Sequence, residues 1–219
     1  MATGNHMIRL TTTLAALACA ALATVRGTDT PVSPSAAAPL DMLLAAVDLA
    51  GQTQRPFAGK EQRATVLFFV AHDCPVSNKF APELRRIADE FAPKGVRCAL
   101  VYADPDLSAA DIRQHVKEFA LSVPTLAVYP DRAHALTRAA GATLTPEAVV
   151  VTAAGHIAYR GRINNLYEEL GSPRAVVTQH DLRVALAAVL AGKVPNPKWP
   201  AAIGCFISPL PSPSPSSKL

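Results

Sequence analysis

Apolar runs that alternate with an amphipathic stretch predict strands and a helix in the middle of the chain. Residues 64–71 form a continuous apolar run rich in β-branched and aromatic side chains, and residues 96–102 form a second. Runs of this length and composition are typical of buried strands. Between them, apolar residues of 75–91 recur at helical spacing, which predicts a helix with one buried face. These residues are Phe80, Leu84, Ile87 and Phe91.

Three further helices are predicted from their start and stop signals. Residues 108–111 form a capping box, which opens a helix that runs to about residue 120. Residues 178–181 form a second capping box, before a helix that Gly192 closes. Residues 132–140 predict a short helix, which the following glycine stops.

A hairpin completes the predicted sheet. The apolar segment 148–152, a turn at Gly155 and the segment 156–159 have the order of two antiparallel strands. Strands joined through helices pair in parallel instead, so the two patterns together predict a central mixed β-sheet flanked by helices. We therefore predict one α/β domain over residues 41–192.

The N-terminal segment has the pattern of an export signal. A short start with one arginine precedes an apolar, alanine-rich run over 14–23, which ends in a small-x-small cleavage pattern. The run is too short for a spanning helix, for which about 20 apolar residues are needed. We predict a signal peptide over 1–23, a linker over 24–40 and an extracytoplasmic protein, periplasmic or secreted. Lipid attachment at Cys19 is an alternative.

The C-terminal segments differ in composition from the domain. Residues 193–207 form an extension that contains Cys205, and the Pro/Ser-rich residues 208–219 predict a disordered tail. The terminal tripeptide 217–219 matches a peroxisomal address. That address contradicts the export signal, and the longer N-terminal segment is the stronger evidence, so we predict export.

Composition excludes several classes of protein. Half of the 219 residues are hydrophobic, which excludes a wholly disordered chain. The net charge of +4, without a dense basic run and with 5% aromatic residues, argues against a nucleic-acid partner. Four cysteines are too few for a disulfide scaffold.

The sharpest chemical feature is Cys74, at the junction of the first predicted strand and the helix that follows. Pro75 then stands at the first helical position, where no N–H is needed. The thiol faces the unpaired N–H groups at the positive end of the helix, which favour a thiolate. A thiolate attacks disulfides and peroxides. Ser77 either hydrogen-bonds this thiolate or caps the helix.

Three features resemble the thioredoxin-like superfamily, and within it the redoxin or alkyl hydroperoxide reductase/thiol-specific antioxidant type of domain. A buried strand runs into Cys74 at a helix start, Pro82 falls eight residues later, and 145–147 (Thr-Pro-Glu) precedes the hairpin. The resemblance implies a thioredoxin-like fold with a C-terminal extension. It implies a cis bond before Pro146 and, together with Pro75, a site beside the cysteine where the backbone at Thr145 takes up substrate as an added strand.

The sequence departs from this family at informative positions. Ser77 stands where thioredoxins have a second cysteine, which excludes a local dithiol cycle. Ala71 and Leu67 stand where peroxiredoxins carry a threonine and a proline, which weakens a peroxidase function. The tripeptide 123–125 (Val-Pro-Thr) also looks like a cis-proline motif, but no hairpin follows it.

The remaining cysteines suggest how the reaction would be completed. Peroxiredoxin-like proteins often use a distant C-terminal cysteine to resolve the first, which implies this role for Cys205. Cys98 lies in the middle of a predicted strand and is expected to be inert core. The histidines have no metal-ligand spacing, so we predict no metal site and no cofactor. Arg160 and Arg162, at the end of the hairpin, are candidates for holding an anion or a carboxylate, and a solvated strand end is the simpler interpretation.

The sequence therefore predicts an exported thiol-dependent redox protein, a thiol-disulfide oxidoreductase or a peroxiredoxin-like antioxidant. Cys74 is the expected nucleophile, resolved by Cys205 or by an external thiol. The expected partners are protein thiols and disulfides or small hydroperoxides, and an external thiol reductant. No stable membrane span is expected. Two alternatives stay open: a soft-metal carrier that uses Cys74, Cys205 and a histidine, and a redox-silent interaction module.

Overall fold

The computed structural model describes residues 39–193, 195–196 and 198–210. They belong to one compact unit, Pro34–Leu219. The predicted signal peptide, nearly all of the linker, Cys19 and residues 211–219 lie outside the described residues. The helices are α1 (Pro75–Phe91), α2 (Ala109–Glu118), α3 (Ala135–Ala140) and α4 (Asp181–Leu190), with a 3-10 turn at Ala92–Lys94. No helix of this part of the chain is long and apolar enough to cross a membrane.

Eleven strands are described, most of them short. They are β1 (Ala46–Val47), β2 (Thr53–Gln54), β3 (Ala64–Val70), β4 (Val96–Tyr102), β5 (Leu126–Pro130), β6 (Leu144–Thr145), β7 (Glu147–Thr152), β8 (Ile157–Gly161), β9 (Tyr167–Glu169), β10 (Ser172–Pro173) and β11 (Cys205–Phe206). The central sheet has the order β5-β4-β3-β7-β8. β3, β4 and β5 run in parallel, whereas β7 is antiparallel to β3 and to β8. The predicted mixed sheet is thus confirmed.

The sheet separates two layers of core because successive side chains of a strand point to opposite faces. On β3, Val66 and Phe68 join the larger core cluster, and Leu67 and Phe69 join the other. Helix α1 packs its apolar face into the larger cluster, and α3 contributes Leu136 to the smaller one. All seven residues of β3 are buried. A central strand covered on both faces is a rigid base for the residues that follow its carboxyl end.

Two helix starts differ from the sequence prediction. Helix α3 begins at Ala135, because the buried carboxylate of Asp131 accepts hydrogen bonds from the backbone N–H groups of Leu136 and Thr137 and holds the preceding residues in a turn. The capping box predicted at 178–181 is wrong: α4 begins at Asp181, and Thr178 bonds to Asn165 instead. The capping box at Ser108 is confirmed, since its side chain accepts a hydrogen bond from the N–H of Asp111.

Candidate redox site

Cys74 lies where the central strand gives way to α1. Its backbone is extended (φ −88°, ψ 110°) as the N-cap of the helix, and Pro75 follows at the first helical position. The carbonyl of Cys74 accepts the first helical hydrogen bond from the N–H of Asn78, at 3.0 Å. The Cys74 side chain is only 1% exposed, whereas Pro75 is exposed. The predicted strand–cysteine–helix junction is therefore present, with its thiol covered.

The C-terminal extension supplies the cover. Strand β11 pairs antiparallel with β6, which places Cys205 opposite Thr145. The sulfur atoms of Cys74 and Cys205, 131 residues apart in sequence, lie 2.6 Å from each other, and both thiols are free. The Cys74 thiol also contacts the carbonyl oxygen of Thr145, at 3.3 Å. An S–S bond is about 2.05 Å long, so a small movement would bring the two sulfurs within bonding distance.

Two glycines let the extension lie so close to the domain. A Cβ at Gly204 would overlap the carbonyl oxygen of Thr145, and a Cβ at Gly161 would overlap the carbonyl oxygen of Pro200. That same Pro200 oxygen accepts a hydrogen bond from the N–H of Arg162, at 3.1 Å. Backbone of the extension therefore packs directly on backbone of the domain, which only glycine permits.

Strand β6, on which Cys205 docks, is also held by Glu147. This buried carboxylate accepts hydrogen bonds from the backbone N–H groups of Thr143, at 2.9 Å, and Leu144, at 3.4 Å. The carbonyl of Thr143 in turn accepts from the N–H of Ile207, at 3.0 Å. The Thr145–Pro146 peptide is cis, as predicted, and it is the one cis bond among the described residues.

The structure thus brings five of the six predicted site residues to one place and shows what occupies the predicted docking edge. The two sulfurs belong to Cys74 and Cys205, and the residues beside them or in the elements that carry them are Ser77, Thr145 and Pro146. Pro75 lies at the adjacent surface. The edge at Thr145 is paired with the chain's own β11.

The two facing thiols have unequal acidities. Burial by itself would raise the pKa of Cys74, but hydrogen bonds from the Cys205 thiol and from the backbone and hydroxyl of Ser77 outweigh it and hold the pKa below its ordinary value. Burial, the hydrogen bond to Cys74 and the negative charge of that sulfur raise the pKa of Cys205 to about 11. Cys74 is therefore the sulfur that ionises first, and Cys205 keeps the proton that it donates.

Ser77 is buried in the first turn of α1. Its hydroxyl oxygen accepts a hydrogen bond from the N–H of Ala71, at 3.4 Å, which ties the helix to the end of the strand segment. The helix is capped by Cys74 and not by Ser77. Ser77 is among the groups that lower the pKa of Cys74, and a catalytic role for it stays a prediction.

A buried polar chain beside the site could not be read from the sequence. Asn78 donates to the carbonyl of His72, at 3.0 Å, and its side-chain oxygen faces Nε2 of His115, at 2.8 Å. Nδ1 of His115 faces the hydroxyl of Tyr102, at 2.8 Å. This chain fixes the segment before Cys74 to α2 and to the end of β4. Single polar residues at these positions carry no signal that they meet.

Cys98, His72 and Arg160 lie apart from the two facing sulfurs. Cys98 is 1% exposed in the core, and burial raises its pKa to about 12. His72 lines a cavity of about 340 Å³ with Asn78 and His115, and Cys74 is not among the lining residues. Arg160 donates to the carbonyl of Gly141, at 2.9 Å.

The second arginine of the hairpin is also engaged. Arg162 binds the carboxylate of Asp181, at 2.8 Å. Arg162 is therefore paired with a carboxylate, and Arg160 is bound to a backbone carbonyl through one of its nitrogens. Within the described ranges, no three His, Cys, Asp or Glu side chains cluster as a metal site would require.

Comparisons with known proteins agree with this architecture. An uncharacterised conserved protein from Geobacillus kaustophilus is 24% identical, with a TM-score of 0.67 over 80% of this chain and 94% of that one. A hypothetical protein from Sinorhizobium meliloti is 22% identical, with a TM-score of 0.64 over 78% and 94%. These similarities show the fold alone.

Another solved structure matches with lower identity and a lower TM-score. A secreted disulfide oxidoreductase from Mycobacterium tuberculosis is 16% identical over 69% of this chain and 96% of that one, with a TM-score of 0.47. None of the curated proteins matches the chain. The redoxin family model, however, matches residues 30–172. With its mixed α/β sheet and its cysteine at the start of α1, the chain belongs to the redoxin family and has the thioredoxin-like fold.

Proposed function

We propose that this protein is a thiol–disulfide redox protein in which Cys74 is the nucleophile and Cys205 resolves it. The observation that carries the proposal is the 2.6 Å separation of two free sulfurs that are 131 residues apart in sequence. Two cysteines meet in this way only if the extension is docked on β6. The unequal acidities add to it, because a pair with one thiolate and one protonated thiol is ready for exchange.

The oxidative half of the cycle consumes a substrate disulfide. The Cys74 thiolate attacks one substrate sulfur, a mixed disulfide forms, and the other substrate sulfur leaves as a thiolate. Cys205, after losing its proton, then attacks the sulfur of Cys74. The Cys74–Cys205 disulfide forms and the second substrate thiol leaves. The substrate disulfide has gained two electrons and the protein has lost two.

A small hydroperoxide is the second oxidant class. The Cys74 thiolate would attack the peroxide oxygen to give a sulfenic acid and an alcohol, and Cys205 would displace water to form the same disulfide. Ala71 and Leu67 replace the two residues with which peroxiredoxins position a peroxide. We therefore place disulfide exchange first.

Admission of an oxidant requires β11 to leave β6. The backbone at Thr145, beside Pro146, is the edge at which the family resemblance implies that a substrate strand binds, and Cys205 is paired with it. The pairing involves only two residues of each strand, together with the hydrogen bond from Ile207. Its release also separates the apolar contacts of Ile203 and Ile207 with the two core clusters, and it opens the approach to Cys74 next to Pro75.

Mass spectrometry of the non-reduced protein tests the proposal. The chain is treated separately with an oxidised monothiol and with hydrogen peroxide, alkylated under acid conditions and digested. We expect a peptide pair linked through Cys74 and Cys205, in the wild type and in the Cys98→Ala control. Free Cys74 and Cys205 after both oxidants would contradict the proposal and leave the redox-silent module.

The soft-metal carrier receives no support from the described residues, because no third ligand accompanies Cys74 and Cys205. Titration of the reduced protein with Cu(I), compared with the Cys74→Ser variant, distinguishes the two functions. Tight Cu(I) binding that Cys74→Ser abolishes, together with no Cys74–Cys205 link after oxidation, would favour the carrier over the redox protein.

Export and the domain limits are part of the proposal. The pattern over 1–23 supports a cleaved signal, and the elements from β1 to α4 lie within the predicted domain 41–192, with Cys205 in the extension 193–207. Expression of the full chain followed by N-terminal sequencing of the extracytoplasmic fraction checks this. We expect a mature chain that begins near residue 24, and an intact N-terminus in the cytoplasm would contradict export.

A further inference from the structure

We propose that the cavity between α4 and the C-terminal extension is a binding site for an amphipathic carboxylate, and that its occupant holds the extension on the domain. The cavity has a volume of about 640 Å³, and neither Cys74 nor Cys205 is among its lining residues. Small organic ligands occupy cavities of about 300–1,000 Å³. The cavity therefore has the size of a ligand site and lies apart from the redox site.

Helix α4 is more apolar than its burial requires. Eight of its ten residues are apolar, yet only three are buried. A helix that is hydrophobic on all sides is normally covered on all sides. Val184 is instead 69% exposed, and it lines the cavity together with Ala188. One apolar side of α4 is thus open to an occupant of this cavity.

The opposite walls continue the apolar surface. Tyr159 of β8 and Trp199 of the extension line the cavity, with their ring centroids 6.3 Å apart. The lining residues of α4 extend from Asp181 to Ala188, which corresponds to about 10 Å at 1.5 Å per residue. This shape suits an elongated apolar group, such as a medium-length acyl chain.

The charged groups at the cavity favour an anion. Lys193 and Lys198 line it, and both are exposed and have no carboxylate partner within the described ranges. The one carboxylate among the lining residues, that of Asp181, is bound to Arg162 at 2.8 Å. Two ammonium groups beside apolar walls match a ligand with an apolar body and a negatively charged end.

The cavity adjoins the segment that carries Cys205. Pro200 lines the cavity, and its carbonyl accepts a hydrogen bond from the N–H of Arg162, at 3.1 Å. A ligand that contacts both α4 and the extension binds the docked arrangement more tightly than the released one. A ligand shifts an equilibrium by its difference in affinity for the two states. Occupancy therefore favours the arrangement in which β11 pairs with β6.

The first experiment measures binding through Trp199, which is the only tryptophan of the chain. The reduced full chain is titrated with octanoate, and separately with octanol and octylamine as the neutral and cationic analogues. We expect a saturable change of fluorescence with octanoate and a Kd on the order of 100 µM or below. Octanol and octylamine should bind at least about tenfold more weakly, because they lack the negative charge that the lysines attract.

A matched pair of valine variants locates the site. Val184→Glu places a carboxylate beside the cavity and should weaken octanoate binding by at least about tenfold through like-charge repulsion. Val176→Glu makes the same change at a position that is 68% exposed and does not line the cavity, and should bind octanoate like the wild type. Both valines are exposed, so neither change is expected to prevent folding.

A matched pair of lysine variants tests the recognition of charge. Lys193→Gln combined with Lys198→Gln should weaken octanoate binding and leave octanol binding unchanged. Lys60→Gln combined with Lys117→Gln removes the same charge at exposed positions outside the cavity and is the control.

The hold on the extension is measured on the same reduced protein. The rate at which a small alkylating reagent modifies Cys74 reports the release of β11 from β6. Saturating octanoate should lower this rate by about threefold or more in the wild type, and should leave it unchanged in Val184→Glu.

The outcomes separate the binding site from its effect and from the redox function. No saturable change with octanoate, equal binding of octanol, or wild-type binding in Val184→Glu would overturn the site. Saturable binding with an unchanged alkylation rate would leave the site in place and overturn its hold on the extension. Both readouts use the reduced chain without an oxidant, so they keep their meaning if no Cys74–Cys205 disulfide forms.

Discussion

Cys74 and Cys98 are buried to the same degree, yet their surroundings give them opposite chemistry. Each is 1% exposed and each belongs to the larger core cluster. Cys98 lies in the middle of β4, opposite Val66 and Leu126 in the neighbouring strands, and burial raises its pKa to about 12. Cys74 lies beyond the end of β3, and its pKa is below the ordinary value.

The difference shows that hydrogen-bond donors, and not exposure, decide which thiol ionises. Burial disfavours a thiolate at both positions. At Cys98 nothing offsets it, because the backbone donors of a central strand are used by the sheet. At Cys74 the thiol of Cys205 and the first turn of α1, through Ser77, supply donors to the sulfur. A strand end that meets a helix start is therefore a place where burial and a thiolate coexist.

The sharpest test exchanges each cysteine for alanine. Cys74→Ala should lower turnover with a disulfide substrate by roughly a thousandfold or more, because the nucleophile is lost. Cys98→Ala should leave turnover nearly unchanged and lower the free energy of unfolding by roughly 1–2 kcal/mol through a small cavity. Turnover with an aromatic disulfide and chemical denaturation measure the two effects. Equal losses of turnover in both variants would refute the comparison.

The second prediction moves Cys205 away without removing either sulfur. In Gly204→Val the new side chain overlaps the carbonyl of Thr145, so β11 is displaced from β6. We expect disulfide formation after oxidation to slow by roughly a hundredfold, since the sulfurs lose their alignment. Ala201→Val adds similar bulk at an exposed position of the same extension and is the matched control. Quenched-flow alkylation with peptide mapping gives both rates, and an unchanged rate in Gly204→Val would show that the docked strand does not control the pairing.

The third prediction concerns the pH dependence of Cys74. A thiolate forms as pH rises through the pKa, so loss of a donor moves the midpoint of alkylation to higher pH. Cys205→Ala should raise the pKa of Cys74 more than Ser77→Ala does, because the Cys205 thiol is the largest favourable contribution. Each unit of upward shift lowers the thiolate fraction below the pKa by about tenfold. Peptide-resolved alkylation of the reduced protein across pH measures the midpoints, and a downward shift in either variant would contradict the assigned donors.

The smallest expected effect concerns the hydroxyl of Tyr102, at the end of β4. Tyr102→Phe removes the hydroxyl that faces Nδ1 of His115 and leaves that buried nitrogen without its partner. We expect the free energy of unfolding to fall by about 1 kcal/mol, with no change in the alkylation midpoint of Cys74. Tyr129→Phe is the control, since that hydroxyl has no hydrogen-bond partner in the described part of the chain. A shifted midpoint in Tyr102→Phe would show that β4 contributes to the acidity of Cys74 after all.

Local patterns predicted the frame of the site. The helix over 75–91, the strand over 96–102 and the hairpin of β7 and β8 are found within a residue or two of their predicted limits. The helix start after Cys74 was also predicted from its local pattern, whereas the cis bond before Pro146 was implied by the family resemblance. Signals of this kind lie within a few residues of each other, so they can be recognised from the sequence.

Other features depended on partners elsewhere in the chain. The capping box at 178–181 failed because Asn165 took the hydrogen bonds of Thr178. Glu147 binds the N–H of Thr143, and His115 contacts Tyr102. The residue types alone do not predict either contact. Their only local hint is that Glu147 directly follows the cis-proline.

The sequence by itself determined that Cys74 lies at a strand–helix junction, because propensity, capping and apolar spacing act over short distances. Only the tertiary structure decided that Cys205 lies 2.6 Å from it and covers it. That contact requires a close backbone approach at Gly204 and an extra strand on β6. Which thiol is acidic, and which is reachable, follows from that docking, because hydrogen-bond donors and burial are set by residues far apart in the chain.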